Sequence, residues 1–274
     1  MRRPPRGLRF LWRYCLLLAT ARLLRKEGIS RLVCYDVGAR WGIWPRFNLL
    51  PLPIFKVAFE ADVEEARRLL EAKAFDAVVP SALSADGGEK TLYLAQDPGS
   101  SSIYGPNLAV IAQHCETKNF SIVRKIPIET ISLQQAIQRF AIPPPDYIKL
   151  DVEGAEFEIL KGAGSILDVC SGIFFEARLA PFYNGEVLFG GISAELLQRG
   201  FSITSFEPVG SFQGAIMLVD ASMCRNVLLE NRRQYLLKSA AFALLVDNFE
   251  YAIACLRKVA TKKEILLAPI YIKK

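Results

Sequence analysis

Tyr147-Ile148-Lys149-Leu150-Asp151-Val152-Glu153-Gly154-Ala155-Glu156-Phe157-Glu158-Ile159-Leu160-Lys161-Gly162-Ala163 is the stretch on which the reading of this chain turns. A short apolar run ends at Asp151, and Glu153 and Glu156 follow around a glycine. Phe157, Leu160 and Ala163 then fall on one helical stripe. This is the pattern of a buried strand that delivers acid groups to the carboxyl edge of a sheet, where open α/β folds bind their ligands. A core strand has no structural need for such charge, so the carboxylates ask for a functional reason.

Outward from that segment, size and composition set limits. The chain has 274 residues, enough for one large domain with extra elements or at most two. With 51% hydrophobic and 23% charged residues it carries the material for a sizeable core, which excludes disorder. The net charge is +6, with the basic residues crowded at the two ends: Arg2, Arg3, Arg6, Arg9, Arg13, Arg22, Arg25 and Lys26 at one, Arg257, Lys258, Lys262, Lys263, Lys273 and Lys274 at the other. Such ends suit an anionic membrane surface or an acidic partner, and they serve equally as solubilising charge. The six cysteines form no CxxC pair and several lie in apolar runs, so buried free thiols in a reducing, cytoplasmic setting are expected. The single histidine, His114, argues against a zinc site built on imidazole.

The segment 8–24 is apolar with interspersed arginines, and its longest uncharged run, residues 14–21, is well short of the ~20 apolar residues that span a bilayer. It has no small-residue cleavage site after the apolar run, and an amphipathic helix docking on a membrane face or on the protein's own core is expected.

Strands are expected at 32–36, 55–60, 75–79, 122–128, up to 151, and 172–176, alternating with helices from Asp62 to residue 72 and over 133–140. Asp62 with Glu65 three residues on reads as an N-cap, and Pro143-Pro144-Pro145 stops the later helix. Asp86-Gly87-Gly88 between two extended runs predicts a hairpin of 81–85 with 90–95. A helix at 193–199 is followed by a closing strand pair, 201–206 and 215–219. Beyond Asp220 the pattern is helical to about residue 263, with a last strand signal at 265–272. The expected fold is therefore α/β, a mostly parallel sheet with helices on both faces, plus terminal helical extensions. The expected division is a basic amphipathic helix at 1–30, a catalytic domain at 31–221 and a C-terminal helical extension at 222–274.

Two further features point to the ligand. Asp36-x-Gly38-x-x-x-Gly42 follows the first strand, and glycine there lets the backbone turn tightly and approach a ligand. It lacks GxGxxG spacing, which disfavours a pyrophosphate. Glu60 ends the second strand 22 positions after Gly38, the place where an acid accepts ribose hydroxyls in dinucleotide folds. A glycine turn without phosphate spacing plus a ribose acid suggests an adenosine ligand without a pyrophosphate.

The turn at 36–42, Phe59-Glu60, the turn at 83–87 and above all residues 148–163 resemble the FkbM family of S-adenosylmethionine-dependent methyltransferases, with its I-D-x-E-G-x-E strand end and following L-x-G-A helix. The resemblance covers about residues 32–219. It implies a class I methyltransferase (Rossmann-like) fold and O-methylation of a hydroxyl on a glycan, glycolipid or secondary metabolite. It also implies that Asp36, Gly38 and Gly42 hold the methionine end of S-adenosylmethionine, that Glu60 takes the ribose, and that Asp86 faces the adenine. Asp151, Glu153 and Glu156 would flank the sulfonium and the acceptor, one of them acting as base. No metal is required. Asp151 and Glu176, at neighbouring strand ends, are the pair that would share a divalent cation. His114 ranks below the acids as base, and Tyr104 and Tyr183 are candidate acceptor contacts under a lid at 100–107.

Two residues depart from the family pattern: Arg40 replaces its middle glycine, and Gln134 stands where an acid is usual. They support a rival reading, a catalytically degenerate fold acting as a membrane-peripheral scaffold. A nicotinamide oxidoreductase is disfavoured by the missing phosphate glycines, and nucleic-acid binding by the lack of aromatic-basic interleaving. The apolar stretch 236–256 predicts a capping helix or a homodimer face, with peripheral membrane contact through the basic termini as the second reading.

Overall fold

The computed structural model describes residues 6–212, 214–226, 232–261 and 264. It opens with a helix, α1 (Arg6–Lys26), which leads into strand β1 (Leu32–Val37). The elements that follow are β2 (Ile54–Phe59), α2 (Val63–Glu71), β3 (Ala77–Val79), β4 (Ala82–Leu83), β5 (Gly88–Ala95), α3 (Leu108–Ile111) and β6 (Ile122–Ile131). The second half runs through α4 (Leu133–Phe140), β7 (Tyr147–Leu150), α5 (Glu156–Ala163), β8 (Gly172–Arg178), α6 (Phe189–Gln198), β9 (Phe201–Phe212), β10 (Ala215–Arg225), α7 (Arg233–Leu245) and α8 (Phe249–Val259).

Seven strands form the main sheet in the order β3-β2-β1-β7-β8-β10-β9. Strands β3, β2, β1, β7 and β8 are mutually parallel, while β10 runs antiparallel to both β8 and β9. The mostly parallel sheet expected from the alternation is present. Side-chain alternation sorts the strands between two covering layers. Leu32 and Cys34 of β1, Tyr147 of β7 and Phe174 of β8 pack with α1, α7 and α8. Val33, Tyr35, Val37, Ile148, Leu150 and Phe175 pack with α4, α5 and α6 on the other side.

Local chemistry sets the helix ends. Asp62 accepts from the Glu64 and Glu65 N–H groups at the start of α2. Ser132 and Gln135 make a reciprocal capping box on α4, which ends at Ala141 in the left-handed region ahead of Pro143. Asn248 caps α8 after Asp247 turns at φ 59°, so the long apolar stretch is two helices.

Several expectations need correction. Segments 81–85 and 90–95 form no hairpin: β6 lies between β4 and β5, parallel to the first and antiparallel to the second, in a separate three-stranded sheet. The reason is length, since the two-residue β4 is too short to make a ladder with β5, whereas the ten-residue β6 pairs with both. The closing strands run further than expected, and the helical region begins after Arg225. The strand expected at 265–272 lies outside the described residues.

Candidate active site

The site is built where β1 and β7 end side by side. Gly38 has φ +77°, and a Cβ there would stand 1.9 Å from the Asp151 carbonyl oxygen. The two strand ends approach so closely that only glycine fits. Beneath the turn, Lys149 is 7% exposed and bonded three ways. Its ammonium lies 3.1 Å from Asp36 and 3.4 Å from Asp151, and donates to the Gly38 carbonyl at 3.0 Å. Burial disfavours that charge, but the two carboxylates outweigh burial and raise its pKa. Asp36, also buried, accepts from the Trp44 N–H. Burial raises its pKa, against the pull of Lys149. Asp36 therefore shapes the turn from below and does not line the cavity above it; Gly42, with φ +105°, likewise lies off the wall.

Above the turn is a cavity of about 390 Å³, within the range of small-molecule sites. Gly38, Arg40 and Glu60 line one part of it, Asp151, Glu153 and Glu176 another, and Ser81, Leu83 and the 97–103 loop close over it. Glu60 is 7% exposed. One of its oxygens accepts the Asp62 N–H at 2.9 Å, and the other makes no hydrogen bond among the described residues. Burial raises its pKa, offset by that N–H and by Arg40. Arg40 does not fill the cavity as bulk alone: its guanidinium is held 2.9 Å from Asp62 and 4.0 Å from Glu60.

The acids form a graded set. Oxygens of Asp151, Glu153 and Glu176 lie within 4.8 Å of one another. Glu153 has φ +57° and is clamped by the Arg178 guanidinium and by the Tyr183 hydroxyl, 2.9 Å away. Ser102 donates to the Glu153 carbonyl at 2.6 Å, and the Tyr183 hydroxyl also lies 2.8 Å from the Ser100 carbonyl, so the covering loop is tied to the acid segment. Glu176 makes no hydrogen bond or ion pair among the described residues. Burial, then the Asp151 and Glu153 charges, push its pKa up to about 8. Its cross-strand neighbour Asp220 rises to about 6, by burial first and then by Asp151 and Glu207.

Other expected residues fall elsewhere. Glu156 lies behind the wall, 2% exposed, where it accepts the Val152 N–H at 2.9 Å. Burial raises its pKa to about 7, but it does not line the cavity that an acceptor would enter. Asp86 does not reach the cavity, because its turn follows β4 into the small sheet, and Ser81 and Leu83 line the wall instead. His114 stacks on Phe182 at 5.9 Å and is off the cavity, and Tyr183 is buried in the clamp. Sequence reasoning missed Arg178, Asp220 and the inward role of Lys149. The available signal was charge inside apolar strands, as in Tyr147-Ile148-Lys149-Leu150 and Gly172-Ile173-Phe174-Phe175-Glu176-Ala177-Arg178.

Residues 36–203, more than half of the chain, match the model of the methyltransferase FkbM domain. The chain belongs to this family. Its sheet is the class I methyltransferase sheet, and the matched region is an S-adenosylmethionine-dependent methyltransferase domain. A characterised relative, the hexuronic acid methyltransferase AglP of Haloferax volcanii, is 28% identical over 159 residues, covering 57% of this chain and 59% of that protein. Among solved structures, 1,6-didemethyltoxoflavin-N1-methyltransferase of Burkholderia thailandensis aligns with a TM-score of 0.36 at 11% identity, covering 77% of this chain and 78% of that one. Magnesium protoporphyrin IX methyltransferase of Synechocystis PCC 6803 aligns with a TM-score of 0.35 at 12% identity, covering 78% and 79%.

The site residues suit the family's cofactor. Glu60 keeps one oxygen free of hydrogen bonds among the described residues on the cavity wall, as a ribose hydroxyl would require, and Asp151, Glu153 and Glu176 bring three carboxyl groups to the same wall, as a cationic group would require.

Proposed function

We propose that the protein transfers a methyl group from S-adenosylmethionine to a hydroxyl of a small glycan, glycolipid or secondary metabolite. The observation behind this reading is one cavity with a ribose-type acid, Glu60, at one part and an unbonded, proton-poised acid, Glu176, at another. The cofactor, when bound, supplies a methyl group already activated on a cationic sulfur. The chain's own task is then to orient a hydroxyl and remove its proton. Glu176 accepts that proton. Its raised pKa brings it near neutrality, and a cation bound beside it draws the carboxylate back toward the charged, basic form. Glu153 cannot serve, because Arg178 and Tyr183 hold its carboxylate. Asp151 supports the positive charge from the rim, and Lys149 fixes its position. The identity of the Haloferax volcanii relative supports a uronic acid or another sugar as acceptor class.

A scaffold without catalysis is the rival. Against it, Arg40, its main support, is drawn toward Asp62 and leaves the cavity open. The spacing of the Asp151, Glu153 and Glu176 oxygens favours a second route, in which a divalent cation acidifies the acceptor hydroxyl. Release of S-adenosylhomocysteine on incubation with sugar and glycolipid acceptors tests the reading, and its absence with all of them would remove it. Persistence of turnover in a chelator would remove the cation route.

A further inference from the structure

α1 has two faces. Leu16, Leu17, Leu23 and Leu24 are buried against α7 and α8. The solvent stripe carries Phe10 (62% exposed), Leu11 (50%) and Tyr14 (47%) toward its start, and exposed Arg22, Arg25 and Lys26 toward its end. Large apolar side chains exposed at one end of a cationic helix are the composition of a segment that enters a membrane interface, aromatic rings in the headgroup layer and cations on the lipid phosphates.

The direction of α1 gives this stripe a place relative to the cavity. Arg25 near its end donates to the Pro51 carbonyl, ahead of β2, at the amino edge of the parallel strands. Arg13 near its start pairs with Asp247 at 2.9 Å, and Asp247 pairs with Arg46 at 3.2 Å. Arg46 follows Trp44, whose N–H binds Asp36 at the carboxyl end of β1. The first turns of α1 therefore stand toward the carboxyl edge of the sheet, the edge on which the cavity lies. From Arg25 to Arg13 the helix rises about 18 Å at 1.5 Å per residue. Phe10 and Leu11 lie about 3–5 Å further along the helix than Arg13, toward its start. On the same rim Trp41, on the cavity wall, is 81% exposed.

Charge identifies the surface that this rim faces. The first 26 residues hold eight arginines and lysines and no acid, while the remaining 248 hold 26 basic and 28 acidic residues, so the whole positive excess resides in this segment. We infer that the exposed end of α1 docks the protein on an anionic bilayer, with the cavity mouth turned to the headgroup layer. Resting on the methyl-transfer reading above, the acceptor hydroxyl is then borne on a lipid anchored in that bilayer, and the protein is a peripheral membrane enzyme. Four arginines of the segment, Arg2, Arg3, Arg6 and Arg9, precede the exposed apolar group in the sequence and add to the attraction by charge.

Flotation of the full chain with vesicles tests the docking. The native protein should float with vesicles of phosphatidylcholine containing about 30% phosphatidylglycerol, and at least about tenfold less with phosphatidylcholine alone. The triple variant Phe10→Ser, Leu11→Ser, Tyr14→Ser should lose at least tenfold in that partitioning, with an unchanged far-UV spectrum and unchanged calorimetric titration by S-adenosylmethionine. The quadruple variant Arg2→Gln, Arg3→Gln, Arg6→Gln, Arg9→Gln should lose the preference for the anionic vesicle, and an unchanged preference overturns the inference. Equal flotation of native and triple-variant proteins, or no flotation of the native protein on anionic vesicles, overturns the inference. So does a native dimer in sedimentation velocity that the triple variant converts to monomer, since the face would then belong to a second copy of the chain. Because the cofactor titration is read separately, loss of docking and loss of the methyl-transfer reading remain distinguishable.

Discussion

The sheet is covered very differently at its carboxyl rim and in its α1, α7 and α8 layer. At the rim, Asp36 and Lys149 are buried as a pair, Glu60 is buried just past the end of the neighbouring strand, Gly38 and Glu153 are held at positive φ, and burial with nearby acids pushes the pKa of Glu176 up to about 8. In the helical layer, Ala240 to Leu245 of α7 pack at or near zero exposure with no charged group among them. On the proposed function, the rim keeps costly charges and constrained backbone for use by a cationic cofactor and a proton transfer. The layer supplies the apolar burial that offsets this cost.

The contrast predicts that substitutions in the two regions separate stability from chemistry. Glu176→Gln should lower kcat by about 10²–10⁴, the usual worth of a positioned general base, while cofactor affinity barely changes and the urea midpoint at neutral pH rises, because Gln needs no proton to stay buried. A fall in cofactor affinity equal to the fall in kcat would make Glu176 a binding group. Phe242→Ala, in the layer, should do the reverse. Its ring is fully buried, 5.1 Å from the Tyr147 ring, and a Cβ on Gly172 would stand 2.2 Å from it. Its loss should cost about 3–5 kcal/mol in urea unfolding, with calorimetric affinity for the cofactor retained in the folded fraction. Gly38→Ala should then lower kcat/KM by about 100-fold or more, because the strand ends must part for the new methyl group. A milder loss would show that the turn adapts.

The smallest effect concerns pH. Glu156 and Glu176 titrate near 7 and 8 in the fold but near 4.5 in the unfolded chain. Between pH 4.5 and 8 the folded state binds more protons, so stability should fall as pH rises through this window and level off above it. Glu176→Gln should flatten the upper part of the fall in urea midpoint against pH. A profile identical to that of the native protein would place its titration elsewhere.

Legibility in the sequence followed range. The strand ending at Asp151, the glycine turn and Glu60 were readable because each is set by residues within a few positions. The helix at 133–140 was readable from its cap. The insertion of β6 between β4 and β5 was not, because the pairing joins segments about 40 residues apart and the Asp86-Gly87-Gly88 turn looks locally like a hairpin. The family resemblance put Asp86 at the adenine, whereas its turn leads into the small sheet and off the cavity wall. Glu156 was grouped with Asp151 and Glu153 by their closeness in sequence and by the resemblance, whereas the start of α5 turns it behind the wall. Arg178, and the clamping role of Tyr183, escaped notice because their partner, Glu153, is 25 and 30 residues away.

Calorimetric titration of S-adenosylmethionine into the full chain and into Glu60→Ala tests the cavity as a cofactor site most directly. Saturable one-site binding to the native chain, weakened about 10–100-fold by loss of a charged hydrogen-bond acceptor, is the expected result. No binding heat from the native protein, or equal affinity for the two proteins, would contradict it.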